Sequence, residues 1–326
     1  MSALILAEIV PASEFFGSYT YRTMLIGTVL IGLFSGGLGC LLYQRKQSLL
    51  ADVIGHSAIA GVVGAFIVST AVFNVNGRSM ATLTIGAVIS SALAALLANV
   101  ISAHSRVSID AAMAICLALF YGGGMVGLRI IAQSTLPNRQ GINTYLFGNA
   151  ATLTTEDNIV ILVFGLIAVG VAAFTWRGLT LFIFDPVFAT MSGYSGRTVS
   201  TILFLVTTTS IVIGVKTVGL VLMIAFAIMP AAAARLWVRH MHTMIVLAAI
   251  LGAVCGAAGS YLAVCMGRVP TGPVIVVVLF VVFAFSMLFS PHRSLTQIRV
   301  SRRRALAAHW LLYTSPSPRD ATLSRM

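Results

Sequence analysis

The chain has 326 residues, 59% of them hydrophobic and only 9% charged, with a mean hydropathy of +1.01, where an ordinary soluble domain has roughly 25% charged residues. So little polar surface cannot cover a folded core, which excludes a water-soluble globule and leaves nothing for a sizeable aqueous domain. The net charge of +12 does not point to nucleic acid: seven of the twenty Lys and Arg lie beyond Ser290, opposed there only by Asp320, and the rest stand singly between apolar runs, the pattern that orients a membrane protein.

Residues 1–22 carry Glu8 and Glu14 but no basic residue ahead of their apolar stretch, unlike the n-region of a cleaved signal peptide. Nearly uncharged windows then recur at Thr23–Tyr43, Val53–Phe73, Met80–Ala103, Ala111–Leu128, Asn158–Trp176, Thr198–Val215, Thr217–Ala234, Thr243–Gly267 and Val269–Ser290. A crossing takes about 20 apolar residues, so each window is long enough. No period-two alternation appears, and a backbone in lipid must satisfy its own polar groups, so the spans are helices. The expected fold is an all-α polytopic membrane protein with about nine transmembrane helices, in a range of about eight to ten set by spans of this length. Lys216 alone divides the sixth window from the seventh. The expected organisation is an N-terminal segment at 1–22, a transmembrane domain at 23–292 and a basic tail at 293–326. The tail from Leu311 is polar and rich in Pro and Ser; it resembles adaptor read-through and is set aside.

An outside N-terminus puts Arg45, Lys46, Arg106, Arg177, Arg197, Arg235, Arg239 and the tail arginines inside, and Arg22, Arg78, Arg129, Arg139, Lys216 and Arg268 outside. Positive charge favours that orientation, with the C-terminus in the cytoplasm. Ser35-Gly-Gly-Leu-Gly39 and Gly122-Gly-Gly124 read as close helix packing. Pro230 is expected to kink or end a helix near the inner face. The polar stretch Gln133–Asp157 reads as a surface helix or a re-entrant turn. Cys40, Cys116, Cys255 and Cys265 lie in apolar runs without CxxC spacing and read as small buried hydrophobes.

Only eight acidic residues exist, and a carboxylate inside a membrane is costly. Asp110 follows Ser108 at a helix start, where a carboxylate offsets the helix dipole. Asp52 is followed one turn later by His56, so both share a helix face. A carboxylate oxygen and an imidazole nitrogen together suit a divalent Mn, Fe or Zn ion. Two ligands do not complete a site, and the other reading stands beside it: Asp52 as a helix-start charge and His56 hydrogen-bonded in the bundle. His104, His240, His242, His292 and His309 fall in loops or the tail. No phosphate-cradling Gly-x4-Gly-Lys-Ser/Thr, HExxH or Gly-x-Ser-x-Gly is present, so the chain does not hydrolyse ATP alone and is not read as an enzyme.

Four stretches carry a resemblance. The first runs from the basic pair Arg45-Lys46 through Asp52-x-x-x-His56 to Gly61. The second is Thr135–Gly141 with Tyr145–Ala151, and the third is Phe184-Asp185-Pro186-Val-Phe188-Ala189 with Gly193. The fourth links Gly214–Gly219, Met229–Arg235, Pro270–Pro273 and Phe289–Pro291. Together they resemble the ABC-3 permease subunits of bacterial ABC importers for manganese, zinc or iron, over about residues 20–293. The resemblance implies metal ligands in the translocation path at Asp52 and His56. It also implies a cytoplasmic coupling segment that docks on the ATPase, with Asp185, Pro186, Ala189 and Gly193. The second stretch is more like the manganese and iron branch than the zinc branch. The departures are Val53-Ile54-Gly55 where the family often has Ala-Leu-Ser, Ala60 where Pro is common, and the basic extension after Pro291. Gly55 is expected to loosen the helix at the ligand pair.

The function so implied is that of a permease subunit in the bacterial cytoplasmic membrane. Its partners would be a second permease (copy or paralogue), cytoplasmic ABC ATPases that use ATP, an extracytoplasmic metal-binding protein and membrane lipid, and it would have no nucleic-acid partner. No cofactor is bound permanently, and the divalent metal is cargo, held midway along the path. The alternatives are an ion-coupled secondary carrier, an ABC permease for a metal chelate, and a membrane scaffold.

Overall fold

The computed structural model describes residues 17–45, 48–72, 79–134, 148, 150–267 and 269–290, and no strand occurs among them. The helices are α1 (Tyr19–Gln44), α2 (Ser48–Ile67, running on as a π-helical turn through Val72), α3 (Met80–His104), α4 (Ile109–Gln133), α5 (Thr155–Phe174), α6 (Trp176–Phe184), α7 (Pro186–Met191), α8 (Gly196–Val218), α9 (Leu220–Trp237), α10 (Met241–Cys265) and α11 (Thr271–Phe289). Eight are long and apolar enough to cross a bilayer, and Met223–Trp237 of α9 adds a shorter apolar helix. Every apolar window of the sequence thus lies largely within a helix. The break between the sixth and seventh windows is not at Lys216, however. The helix runs on to Val218 and ends at Gly219, whose φ of 90° is a left-handed conformation suited to glycine.

Local signals set several helix ends. The Ser108 hydroxyl accepts from the Ala111 N–H at the start of α4, with Asp110 exposed in the first turn, in keeping with a structural part for Asp110. At the start of α5, Thr154 Oγ1 accepts from the Asp157 N–H and Asp157 Oδ2 accepts from the Thr154 N–H, a capping box. The stretch 135–147 and residue 149 lie outside the described residues, as does the tail from 291. Of the polar segment between α4 and α5, what is described includes Gly148, at φ 72° against Gly219, and a 3₁₀ turn at Ala150–Thr152.

Cross-chain contacts fix how the helices alternate. At one end, Tyr19 Oη meets Thr155 Oγ1 at 2.8 Å. At the other, the Arg45 guanidinium donates to Ser200 Oγ at 3.3 Å, Trp176 Nε1 donates to His242 Nε2 at 3.3 Å, and Ser290 Oγ donates to the Leu236 carbonyl. The second end holds α6 and α7 and is the end the positive charge assigns to the cytoplasm.

Helix α1 is the axis of the bundle and packs on α5, α8, α9 and α10. Lipid gives helices no hydrophobic drive to associate, so close approach rests on small residues and interhelical hydrogen bonds. Gly32 lies against the backbone of Gly252. A β-carbon on Gly36 would stand 2.6 Å from the Ala248 carbonyl oxygen, and one on Gly256 would stand 2.6 Å from that of Thr28. The Thr28 and Ser260 hydroxyls share a 2.7 Å hydrogen bond across the same seam. The Ser35–Gly39 run is therefore packing, as its composition suggested. Gly122 and Gly123 are not: a β-carbon on either meets nothing within 4 Å, and only Gly124 of that trio packs. Pro230 does not end its helix, which continues to Trp237. Its ring is buried beside α1, with Cβ 3.4 Å from where a Gly36 side chain would begin, because neighbouring helices shield a freed carbonyl in a bundle. All four cysteines are buried and free.

Gly36→Ala is expected to lower stability by about 1–3 kcal/mol through overpacking of α1 on α10. Gly170→Ala, whose β-carbon meets nothing, is expected to be neutral or slightly stabilising. Thermal unfolding of the two variants in detergent measures the difference.

Candidate functional site

Asp52 and His56 lie on α2, one turn apart, about 6 Å along the axis. Both are half-buried, and with half-buried Ala60 and exposed Gly64 they form the least covered stripe of the helix. The helix is continuous through buried Gly55. Asp52 is in the second turn, where the N-terminal end of the helix dipole favours a carboxylate. His56 is eight residues past Ser48, about 12 Å from the helix start. The pair therefore lies nearer the end of α2 that stands at the α6 and α7 end of the bundle.

His56 Nδ1 is buried and has no hydrogen-bond partner. The imidazole meets the ring of Tyr121 edge-on, with centroids 5.1 Å apart at 85°. An unsatisfied buried nitrogen costs about 1–3 kcal/mol unless something completes it. Among the described residues no third His, Cys, Asp or Glu joins the pair.

Helices α3 and α4 hold this segment of α2 from behind. Ser91 Oγ donates to the Ile54 carbonyl at 2.9 Å and Ser90 Oγ donates to the Ser57 carbonyl at 2.8 Å. These bonds grip the backbone on either side of His56. A β-carbon on Gly124 would fall 2.8 Å from the Ala60 nitrogen, and this close approach of α4 carries Tyr121 to the imidazole. On the open side nothing lies within 4 Å of where side chains at Gly64, Gly122 or Gly123 would begin.

The segment after α5 forms a compact knob at the same end of the bundle. Asp185 caps α7 by accepting the Phe188 N–H on Oδ1 at 2.9 Å, and Pro186 occupies the first turn, where its missing N–H costs nothing. Ala189 is fully buried and its carbonyl accepts the Tyr194 N–H at 3.1 Å. Gly193 turns the chain out of α7 at φ 87°. The ring of Tyr194 lies on Gly178 of α6, and a cavity of about 540 Å³ opens between Trp176, Arg177, Tyr194 and Thr198. Phe184, Val187, Phe188 and Met191 stand exposed on the knob, Met191 at 82%. The four residues expected for coupling are thus brought together as cap, first turn, buried contact and exit turn.

A model of the ABC 3 transport family matches residues 18–290. The chain belongs to the ABC 3 transport family. The manganese transport system membrane protein MntC of Bacillus subtilis is 34% identical over 283 residues, which cover 86% of this chain and 64% of that protein. This chain therefore spans just under two thirds of the length of that relative. The zinc transport system membrane protein TroC of Treponema pallidum is 30% identical over 289 residues, covering 89% of this chain and 95% of TroC. A solved structure of PsaBC from Streptococcus pneumoniae in complex with Fab superposes with a TM-score of 0.77 at 23% identity, over 89% of this chain and 100% of that chain; the likeness is one of fold.

It thus belongs to a family of transport proteins, and its eight long apolar helices suit a multi-pass membrane protein. Sequence reasoning did not find Tyr121, Ser90 or Ser91. The serine pair did leave a signal, since adjacent hydroxyls inside an apolar span are used as interhelical donors; Tyr121 left none, because nothing in sequence brings it to His56. The remaining histidines are accounted for in part: His104 Nδ1 is 3.1 Å from the Val100 carbonyl, and His242 accepts from Trp176. His292 and His309 lie outside the described residues.

Ser90→Ala and Ser91→Ala are each expected to cost about 0.5–1.5 kcal/mol. Thermal unfolding of the single and double variants, with Ser102→Ala near the end of α3 as control, checks this.

Proposed function

We propose that the chain is the transmembrane permease subunit of an ATP-driven importer of a divalent transition metal, with manganese or iron preferred to zinc, in the bacterial cytoplasmic membrane. The observation that carries the reading is the half-buried Asp52 and His56 pair, with an orphaned Nδ1, on a stripe of α2 that the described residues cover only in part. A cation leaving water there exchanges part of its hydration for an anionic oxygen and a neutral imidazole nitrogen. Two ligands hold it weakly, and passage requires weak holding, since a closed set of four protein ligands retains its metal. A second permease, a copy or a paralogue, faces the stripe, and its groups with water complete the coordination. The small residues Gly64, Gly122 and Gly123 give that neighbour room to approach.

The knob of α6 and α7 docks on a cytoplasmic ATPase. Its exposed Phe184, Val187, Phe188 and Met191 offer apolar anchors, and Asp185, Pro186, Ala189 and Gly193 keep the knob rigid enough to transmit a push. ATP binding and hydrolysis in that partner alternate access to the path, and an extracytoplasmic metal-binding protein delivers the ion at the opposite end. A resident cofactor has no part in this scheme.

Asp52→Asn and His56→Gln are each expected to lower ATP-driven manganese uptake in vesicles by about tenfold or more, as loss of a ligand costs no less than loss of its supporting shell. Uptake at the wild-type rate in either variant, at equal membrane levels, would falsify the ligand assignment. Met191→Glu with Val187→Glu is expected to abolish uptake while metal binding by the permease persists; retained uptake removes the docking role. Gradient-driven transport by the chain reconstituted without any ATPase would replace this reading with a secondary carrier.

A further inference from the structure

Arg45 ends α1 in an unusual position. It is half-buried, its guanidinium lies 5.4 Å from the centroid of the Phe182 ring, and its polar contact is the 3.3 Å hydrogen bond to neutral Ser200. No described carboxylate pairs with it. Burial pulls its pKa below the ordinary arginine value, so its charge is held at a cost that a nearby anion relieves. The acidic groups on neighbouring elements do not supply one: Asp52 on α2 and Asp110 on α4 make no ion pair with it, and Asp185 is engaged in capping α7.

The same guanidinium lines a cavity of about 150 Å³ between α1, α3 and α8. Asn99, Ser200 and Thr201 share the polar part of its wall. Below them the wall is apolar, and Leu96 and Leu205, 54% and 40% exposed, also line it. Arg45, Asn99, Ser200 and Thr201 belong to the helix ends beside the knob, and Leu96 and Leu205 lie about one turn further in. The cavity therefore has a cationic, hydrogen-bonding head at the depth of the membrane interface and a greasy body open toward acyl chains. Basic pockets between transmembrane helices on this side recognise anionic headgroups, with about 1 kcal/mol per basic residue near the surface. A free small anion would not use the apolar lower half, and a zwitterionic lipid brings a second positive charge to a site that has no acid to receive it.

We propose that this groove binds an anionic phospholipid of the adjoining leaflet, its phosphodiester on Arg45 with Asn99, Ser200 and Thr201 around it, and an acyl chain between Leu96 and Leu205. Because Arg45 also touches Phe182 of α6 and Ser200 of α8, the lipid braces the end of α1 against the coupling knob. The site is separate from the Asp52 and His56 pair, and it stands whether or not that pair carries metal.

The test places the full chain, assembled with the subunits that co-purify with it, in nanodiscs of phosphatidylcholine with and without phosphatidylglycerol. Lipid retained on the protein is counted by native mass spectrometry. Wild type is expected to retain phosphatidylglycerol over phosphatidylcholine, and Arg45→Gln to lose about fivefold of that preference, the factor that corresponds to one basic contact. Arg45→Lys should keep most of it. Ala92→Phe, which fills the groove and leaves the cation in place, should lose it; this variant decides the matter if Arg45→Gln fails to fold. Equal retention of phosphatidylglycerol by wild type and folded Arg45→Gln, or by Ala92→Phe, overturns the proposal. So does thermal protection by inorganic phosphate in phosphatidylcholine discs equal to that given by phosphatidylglycerol, which would make the site one for a free anion.

Discussion

Backbone-to-backbone packing through small residues is the constraint on which the rest of the molecule depends. In a bilayer the lipid is as apolar as the helix faces, so burial alone does not bring helices together. Here the contacts are made where side chains are missing: Gly32 and Gly36 of α1 on Gly252 and Ala248 of α10, Gly61 of α2 on Gly86 of α3, and Gly124 of α4 on Ala60 of α2. The first two seams add hydroxyl bonds, Thr28 with Ser260 in the first and Ser90 and Ser91 to the α2 backbone in the second. Close approach makes those short bonds possible, and the bonds fix the rotation of each helix about its own axis.

That rotation sets which residues of α2 stay accessible. Among the described residues Asp52, His56 and Ala60 are left half-buried and Gly64 exposed. The same seam that fixes Ala60 against Gly124 sets Tyr121 beside the imidazole, so site and scaffold share their determinants. The coupling knob follows another rule. It lies outside the apolar core and is built by local chemistry: a carboxylate cap, a proline in the first turn and a glycine at positive φ. Local construction of that kind is stiff without being deeply buried, which suits a surface that receives force.

Charge is placed with similar economy. The described acids lie in the first turns or caps of helices or on the α2 stripe, and none neutralises Arg45. A half-buried arginine with an aromatic ring beside it is eased by an anion from outside the chain, and the proposed lipid would supply one.

Much of this was legible in the sequence. The near absence of charge fixed the helical, membrane-spanning class, since a backbone in lipid has few ways to satisfy itself. The scarcity of acids, together with the one-turn spacing to His56, exposed Asp52, while Asp185, Pro186 and Gly193 stood out through the family resemblance alone. Tertiary structure decided what depends on helix rotation and depth. It placed the Asp52 and His56 pair nearer the end of α2 on the knob's side, left Gly122 and Gly123 open while Gly124 packed, kept α9 running through Pro230, and moved the break after α8 from Lys216 to Gly219. It also brought Tyr121, Ser90 and Ser91 to the site from other helices. Periodicity identifies a helix, but in a chain that is apolar on nearly every face it does not say which face is inside; only the fit of neighbouring backbones does.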